Sequence, residues 1–298
     1  MIKQLYNSVR DKKDNNKKWQ TNYKIAKLLA NVFFPICASF QKKTGIDKDG
    51  KFTMSLTSYP KRIDTVWITI ASLLNQELKP EKVVIWLSKE QFPNEEKDLP
   101  GKLLKLKKRG LSIEFCNDDL KSHKKYYYEM INHPEETVIT VDDDMLYPED
   151  MTKQLWEAHE KYPGQVCCTY SHRFTYDDNG ELKPYRQWMN NEESKGPVMN
   201  ILPVGCGGVL YPAGALNKDL FDIEKIKRLC PKMDDLWLKS MAVINGTKSV
   251  HVKKGSLVYF NVMGTRKSRM SHENGLNNND AMKAIISEYP EVSEIIRK

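Results

Sequence analysis

Four short apolar segments alternate with helical patterns between residues 52 and 141, and this alternation restricts the fold more than any other feature. The segments are FTMSL, KVVIWLS, LSIEFC and TVITV, separated by IDTVWITIASLLNQ, LPGKLLKLKKRG and SHKKYYYEMIN. Strands that are joined through helices lie parallel in one sheet, because each helix returns the chain to the same edge. The continuous apolar run KVVIWLS is typical of a strand covered on both faces. The sequence therefore predicts an α/β fold with a mostly parallel sheet flanked by helices.

Residues 51–298 are expected to form one domain, because they contain no internal repeat and no low-complexity linker. The chain is 40% hydrophobic and 29% charged, which is ordinary for a globular protein. Its N-terminal residues lack the apolar core and cleavage site of a signal peptide. The six cysteines show no CxxC spacing, so we interpret them as reduced thiols of a cytoplasmic protein.

The positive charge is concentrated in residues 1–50. This leader has 11 Lys and Arg against 4 Asp and Glu, a balance of +7, whereas the remaining residues have 36 against 35, a balance of +1. A main body with so little net charge lacks the electrostatic footprint of a nucleic-acid binder. We therefore expect no nucleic-acid partner, and a metal nuclease is disfavoured.

The leader also contains an amphipathic helical pattern. Its apolar residues at helical spacing are Ile25, Leu28, Leu29, Val32, Phe33 and Ile36. Pro35 is expected to kink or end this helix. Two interpretations stay open: a helix packed on the main domain, or a basic amphipathic helix lying on an anionic membrane surface. The second predicts a peripheral protein on the inner face of the cell membrane.

Three consecutive aspartates, Asp142, Asp143 and Asp144, follow the fourth predicted strand. Adjacent carboxylates repel one another, and ligands of parallel sheets bind beyond the carboxyl ends of the strands. In an extended segment Asp142 and Asp144 point to the same side, and carboxylate oxygens suit Mg²⁺ or Mn²⁺. The sequence predicts a divalent metal site here, with a solvated acidic turn as the alternative. A helix is expected directly afterwards, with Pro148 in its first turn.

Two later segments contain further candidate site residues. The glycines of LPVGCGGVLYPAGAL, at positions 205, 207 and 208, allow a ligand to approach the backbone or form a tight bend between strands. In CPKMDDLWLK, Asp234 and Asp235 stand at the expected start of a helix, where its dipole favours carboxylates. These two acids are candidates for catalysis or for capping the helix.

Four motifs in this order resemble nucleotide-sugar glycosyltransferases of the GT-A (Rossmann-like) fold, and are similar to bacterial family 2-like enzymes that build surface polysaccharides. They are SLTSYPKRIDTVWITIASLLNQELKPEKVVIW, VDDDM, GCGGVLYPAG and MDDLWLK, within about residues 52–262. The resemblance implies a nucleotide-sugar donor, with a UDP-sugar expected first, and a glycan or lipid-linked acceptor. It also implies Mn²⁺ or Mg²⁺ as cofactor and inversion at the anomeric carbon.

The resemblance, together with the chemistry of the side chains, assigns roles to individual residues. Donor-binding candidates are Thr57, Ser58, Tyr59, Arg62, Asp118, Asp119, Lys124, Lys125, Asp142 and Asp143. Metal-binding candidates are Asp142, Asp144 and His272, and acceptor-side candidates are Gly207, Gly208, Trp188 and Trp237. Asp235 is expected to be the catalytic base, with Asp234 in support. The chain departs from the family at Ser88, where a base-binding aspartate often follows the second strand.

Three further expectations concern neighbouring segments and other classes of protein. His172, Arg173, Tyr185, Arg186 and Trp188 belong to an acceptor-side wall or to a plain hairpin. Arg266, Lys267 and Arg269 are expected on a loop that closes over the donor. The alternatives to a transferase are a non-catalytic membrane-associated adaptor with a degenerate transferase domain, and a metal-dependent phosphatase with a DxD motif.

Overall fold

The computed structural model describes residues 1–9, 17–190, 194–252, 260–265 and 271–297, and the side chains of residues 189, 190 and 271–277 lie outside that description. The helices are α1 (Ile2–Asn7), α2 (Lys17–Phe40), α3 (Ile63–Leu73), α4 (Gly101–Lys105), α5 (Lys124–Asn132), α6 (Met151–Lys161), α7 (Ile223–Leu229), α8 (Asp234–Ile244), α9 (Ser271–Glu288) and α10 (Pro290–Ile295). The strands are β1 (Thr53–Thr57), β2 (Lys82–Ser88), β3 (Leu111–Cys116), β4 (Val138–Thr140), β5 (Met145–Leu146), β6 (Val166–Cys168), β7 (Ser171–Arg173), β8 (Met189–Asn190), β9 (Ile201–Pro203), β10 (Val209–Tyr211), β11 (Ser249–His251) and β12 (Phe260–Asn261).

A mixed sheet organises the main body of the described chain. Its seven strands lie in the order β11-β6-β10-β4-β1-β2-β3. Strand β10 runs antiparallel to β4 and β6, and the other neighbouring pairs are parallel. The four predicted apolar segments are confirmed as β1 to β4. The expected fold class, a mostly parallel α/β sheet flanked by helices, is therefore confirmed.

Helices cover both faces of this sheet, and β10 shows how the two faces are separated. Leu210 packs in the core that also contains residues of α3 and α6, whereas its neighbours Val209 and Tyr211 pack in the core that contains α5 and α8. This alternation follows from the two-residue period of side chains along a strand. Because both faces are buried, the edge at the carboxyl ends of the strands is the place left for polar side chains.

Helix α2 packs on the domain with its small side chains. Ala26, Ala30, Phe34 and Ala38 are buried, whereas seven other apolar side chains of the helix, all large, are 37–79% exposed. The exposed set is Ile25, Leu28, Leu29, Val32, Phe33, Ile36 and Phe40. Helix α2 therefore packs on the domain through its alanine face, and the predicted apolar face with the large residues is exposed.

Pro35 does not end α2, which continues to Phe40. Phe34 and Ala38 are both buried against the domain, so tertiary contacts hold the helix on either side of the proline. Packing of this kind outweighs the intrinsic cost of a proline inside a helix, which is about 3 kcal/mol.

A short strand, β5, follows the aspartate triplet where a helix was predicted. Strand β5 pairs antiparallel with β12, and the backbone N–H of Val262 donates to the Asp144 carbonyl over 2.8 Å. Helix α6 begins only at Met151. The local sequence did not show this strand, because its partner lies more than a hundred residues further along the chain.

Candidate active site

The aspartate triplet lies at the carboxyl ends of the central strands. The chain leaves β4 and continues alongside β1, where the Val141 N–H donates to the Ser55 carbonyl over 3.1 Å. Four other segments meet the triplet here: the turn after β1, the first turn of α5, the glycine turn before β10, and the first turn of α8. The edge of the sheet that the sequence indicated is therefore where these polar groups converge.

Asp143, the middle residue of the triplet, joins the turn after β1 to the rest of the site. Its carboxylate accepts hydrogen bonds from Ser58 Oγ over 2.6 Å and from Arg62 Nη1 over 2.5 Å. Its carbonyl accepts a third from Thr69 Oγ1 over 2.9 Å. Burial raises the pKa of Asp143, and the Arg62 guanidinium and the Ser58 hydroxyl oppose that rise. This buried carboxylate therefore organises the turn that was expected to hold the donor.

Arg62 was expected to bind phosphate, and the structure places it between two aspartates. Besides the contact with Asp143, its Nη2 lies 3.3 Å from Asp144 Oδ2. A guanidinium has five N–H donors in a fixed plane, so it can bind two carboxylates and still present donors to a ligand. The ring of Tyr59 lies 5.6 Å from the Arg62 Cζ, which leaves Tyr59 beside the charged groups at the end of β1.

Lys125 forms an ion pair with Asp142, the first aspartate of the triplet. Its Nζ lies 2.9 Å from Asp142 Oδ1 and 2.6 Å from Asp234 Oδ2, and its side chain is only 4% exposed. Burial lowers the pKa of Lys125, but Asp142, Asp234 and Asp235 outweigh that effect and raise the pKa well above its usual value. The lysine therefore stays charged and joins the triplet to the acidic pair, a role that the sequence did not reveal.

Asp235 accepts a hydrogen bond from the Gly205 N–H over 3.1 Å. The residue keeps some exposed surface, but its carboxyl group lies among protein groups. This burial, and then the charge of Asp234, raise the pKa of Asp235 well above its usual value. Within the described residues Asp235 forms no ion pair, so the two acids of the pair have different surroundings: Asp234 binds a lysine and Asp235 binds a backbone amide.

Gly205 permits this arrangement. A Cβ atom at this position would lie 2.7 Å from Lys125 Nζ, 2.9 Å from Asp142 Oδ1 and 3.2 Å from Asp235 Oδ1. Gly207 and Gly208, the glycines expected on the acceptor side, lie in different surroundings. Gly208 has φ of 87°, and a Cβ there would lie 2.7 Å from the Met151 sulfur. The turn at Gly207 and Gly208 therefore packs against α6, and Gly205 is the glycine that approaches the carboxylates.

The remaining donor-side candidates lie near the ends of β1 and β3. The Thr57 hydroxyl donates to the Trp86 carbonyl over 2.7 Å, and Asp118 is exposed. Asp119 forms ion pairs with Lys121 and Lys124 and accepts a hydrogen bond from Gln91 over 2.9 Å. Lys124 is thus a partner of Asp119, so the two adjacent lysines of α5 bind carboxylates at different strand ends.

The two tryptophans expected on the acceptor side lie in the core. Trp237 is fully buried and its indole N–H donates to the Leu220 carbonyl over 3.2 Å. Trp188 is 5% exposed and its indole N–H donates to the Lys183 carbonyl over 2.8 Å. Neither ring has a face available for an acceptor, because both tryptophans are buried in the core that contains α8.

A second set of rings packs around His172 in β7. The ring of His172 lies 5.5 Å from the rings of Tyr170 and Tyr185, with an edge-to-face geometry in both contacts. The charge of Asp235 adds to the burial that raises the pKa of Tyr185. Tyr170 and Tyr185 are partly buried, and Tyr170 was not identified from the sequence.

Some expected ligands and lid residues are outside the description. His272 lies on α9, but its side chain is among those not described, and Arg266, Lys267 and Arg269 lie outside the described residues. Within the described chain, the group of three potential metal ligands whose atoms lie within 4.8 Å of one another is His133, Glu135 and Glu136, in the turn between α5 and β4. The triplet and the acidic pair do not form such a group by themselves.

Comparisons with known proteins give similarities of fold alone. No protein-family model matches the chain, and no curated protein matches it. A 2-C-methyl-D-erythritol 4-phosphate cytidylyltransferase from Francisella tularensis is 13% identical, with a TM-score of 0.42 over 75% of this chain and 97% of that chain. Residues 1–349 of S. aureus TarS are 13% identical, with a TM-score of 0.43 over 70% of this chain and 59% of that chain. At this identity neither match assigns an activity.

Proposed function

We propose that this protein is a glycosyltransferase that moves a sugar from a nucleotide-diphosphate donor to a hydroxyl of a glycan or lipid-linked acceptor, with a UDP-sugar as the first donor to test. The observation that supports this function best is the contact network at Gly205. It brings Asp142, at the strand ends where a donor binds, beside Asp235, an acid whose pKa is raised. A transferase needs both groups within reach of one substrate pair.

The residues at the triplet are suited to Mn²⁺ or Mg²⁺. Asp142 is the most open acid of the triplet, with a side chain 35% exposed, and its Oδ2 has no hydrogen-bond partner among the described residues. Asp142, Asp143, Asp144, Asp234 and Asp235 oppose Arg62 and Lys125, so these seven groups have a formal charge of −3 when all are ionised. Asp142 and Asp144 would hold the ion, which would neutralise the donor diphosphate and the departing nucleotide.

The side chains of this chain supply the remaining steps. Asp235 removes the proton from the acceptor hydroxyl as that oxygen attacks the anomeric carbon from the face opposite the leaving nucleotide. Tyr170 and Tyr185 line the acceptor side, and the partly exposed ring of Tyr59 would stack on the base of the donor. Attack from the opposite face inverts the configuration of the transferred sugar.

The experiment for this proposal separates sugar transfer from nucleotidyl transfer and from phosphatase activity. Purified protein is incubated with Mn²⁺ and a panel of nucleotide sugars, and the released nucleotide is identified by chromatography. We expect one donor to give a nucleoside diphosphate and free or transferred sugar. Release of a sugar phosphate, with the nucleoside monophosphate transferred or freed, would indicate nucleotidyl transfer instead. Hydrolysis of phosphate esters without any reaction of nucleotide sugars would favour the phosphatase, although β1 (TMSLT) carries no acidic nucleophile.

The same proposal places the protein at a membrane surface, with the exposed face of α2 in contact with anionic lipid. Large exposed apolar surfaces on a folded domain mark interaction sites, and α2 presents seven such side chains in one helix. Exposed lysines lie at both ends of that face: Lys17, Lys18 and Lys24 near its start, and Lys42 and Lys43 after its end. Apolar side chains together with basic flanks are the composition that binds an anionic bilayer.

The contacts of α2 favour a helix that lies in the plane of the membrane. By length and composition α2 could also cross a bilayer, with a mean hydropathy of 1.2. Its other face, however, is held on the domain: Asn31 Nδ2 donates to the Asn261 carbonyl over 3.2 Å, and Asn31 Oδ1 accepts from the Met263 N–H over 2.7 Å. Spanning would break these contacts. The same Asn31 contacts join α2 to residues 261–263, and Val262 of that segment donates to the Asp144 carbonyl. The position of the lipid-facing surface is therefore fixed relative to the aspartate triplet.

Replacing exposed apolar residues of α2 is expected to abolish membrane binding without unfolding the protein. In Val32→Gln/Phe33→Gln/Ile36→Gln, the fraction bound to phosphatidylserine vesicles should fall more than about tenfold, because each buried CH₂ group contributes about 0.8 kcal/mol. Flotation with the vesicles measures the bound fraction, and the melting temperature should stay unchanged because the three side chains are exposed.

The matched control is Ile131→Gln, a substitution of an exposed apolar residue on α5 that should bind vesicles as the wild type does. Binding of the wild type should weaken as salt is raised, because each lysine near an anionic surface contributes about 1 kcal/mol. If the triple variant floats as well as the wild type, α2 is not the lipid-binding surface.

A further inference from the structure

Lys125 occupies an unusual place for a lysine. It lies in the first turn of α5 with its side chain 4% exposed, and its ammonium group lies between carboxylates from two different elements. One carboxylate, Asp142, follows β4 on the donor side, and the other, Asp234, begins α8 on the acceptor side. A buried charge is tolerated only when it is paired and hydrogen-bonded, so the lysine and both acids depend on one another.

The surroundings of this ammonium group leave little freedom for rearrangement. The Cα of Gly205 closes one side so tightly that a Cβ there would lie 2.7 Å from Lys125 Nζ. Asp235 lies next to the same glycine and binds its N–H. The Lys125 ammonium group therefore lies next to Asp142, on the donor side, and next to the pair Asp234 and Asp235, on the acceptor side.

We propose that Lys125 is a positioning residue that determines which acid of the pair acts as the base and how Asp142 is presented to a cation. This inference rests on the glycosyl transfer proposed above. The lysine engages Asp234 at 2.6 Å, so that carboxylate is held as the counter-ion of the buried ammonium group. Asp235 is left with a backbone amide as its partner, so it retains the lone pairs that a base needs.

A second consequence concerns the divalent cation. Lys125 engages Asp142 Oδ1, so Oδ2 is the oxygen of this carboxylate that has no hydrogen-bond partner among the described residues. An ammonium group beside a metal ligand also repels the incoming cation. Lys125 should therefore weaken cation binding while it supports transfer. Removing Lys125 should therefore tighten cation binding and slow transfer. Loss of a purely structural residue would not produce this combination.

The test uses Lys125→Met and the conservative Lys125→Arg in the full-length protein. Three quantities are measured: the Kd of Mn²⁺ alone by electron paramagnetic resonance, the melting temperature, and kcat and KM for transfer. For Lys125→Met we expect Mn²⁺ to bind about tenfold more tightly and kcat to fall about 100-fold, as for loss of an electrostatic positioning group. Lys125→Arg should restore part of the turnover, because the positive charge is kept.

Lys239→Met is the matched control. Lys239 is a fully buried lysine on α8 whose Nζ donates to Ser249 Oγ over 3.1 Å, and burial lowers its pKa to about 7. Its replacement should leave the Mn²⁺ affinity unchanged. If Lys125→Met does not fold, Lys125→Met/Asp234→Asn removes both charges of the pair and should recover a folded protein with the same tighter Mn²⁺ binding.

Two results would overturn the inference. One is an unchanged or weaker Mn²⁺ affinity in Lys125→Met and in the double variant. The other is tighter Mn²⁺ binding with wild-type turnover, which would show that Lys125 does not position the acids. The Mn²⁺ measurement needs no sugar donor, so it stays informative if the protein transfers something other than a sugar.

Discussion

Asp235→Asn is expected to reduce the turnover of transfer by about 10²–10⁴-fold while leaving the affinity for the nucleotide-sugar donor nearly unchanged. The carboxylate is needed only when the acceptor hydroxyl loses its proton, so its removal affects the transition state and not donor binding. An asparagine keeps the size of the side chain and an oxygen that can accept the Gly205 N–H, so the fold should survive. Product formation and calorimetric donor binding are compared between the variant and the wild type.

Asp234→Asn is the matched comparison, because it changes the adjacent acid in the same turn of α8. It should be milder, and it should move the acidic limb of the pH–rate profile. A base must be ionised, so transfer should fall as pH drops through the raised pKa of Asp235, above the usual Asp value of about 3.9. Removing the charge of Asp234 lowers that pKa, and the limb should move to lower pH.

The opposite order of effects would reverse the assignment within the pair. If Asp234→Asn is inactive and Asp235→Asn transfers normally, Asp234 is the base and the ion pair with Lys125 must open during the reaction. If both variants stay active, the base lies outside the pair, and the inverting mechanism loses its main support.

Removing the divalent cation is expected to have an effect of similar size. Chelation should lower transfer by at least ~10²-fold, because an electrostatic stabiliser of the leaving group is worth that much in comparable sites. Asp142→Asn and Asp144→Asn should each weaken the binding of Mn²⁺ and of the nucleotide, since each removes one carboxylate from the triplet. Mn²⁺ titration and nucleotide binding by calorimetry are the measurements, with turnover as a third readout.

Asp178→Asn serves as the control for these variants, because Asp178 is exposed in a turn far along the chain from the triplet. It should bind Mn²⁺ and nucleotide as the wild type does. Full turnover in excess chelator would show that transfer needs no divalent cation. Arg62 and Lys125 would then be the cations that balance the triplet.

Local patterns in the sequence determined the strands and their arrangement. Apolar segments such as KVVIWLS pair as parallel neighbours because strand and helix periods are properties of short stretches, and helical connections leave few arrangements of the sheet. The same reasoning placed Asp142, Asp143 and Asp144 at the carboxyl end of a central strand, where the structure has them. The prediction that they line a binding site follows from that position alone.

Only the tertiary structure decided which groups neutralise these acids. Lys125 contacts Asp234 across 109 positions of sequence (234 − 125), and Arg62 contacts Asp143 across 81 (143 − 62), so no local pattern reports either pair. The burial of Trp237 was likewise decided by packing between α8 and its neighbours.

Helix α2 shows the same division between local pattern and tertiary packing. Its spacing predicted an apolar face with large residues such as Phe33, and left open whether that face packs on the domain or lies on a membrane. The structure packs the alanines instead, because small side chains let the helix approach the domain closely, and it leaves Phe33 52% exposed. The sequence by itself determined that α2 has an apolar face, and the tertiary structure decided that this face points away from the protein.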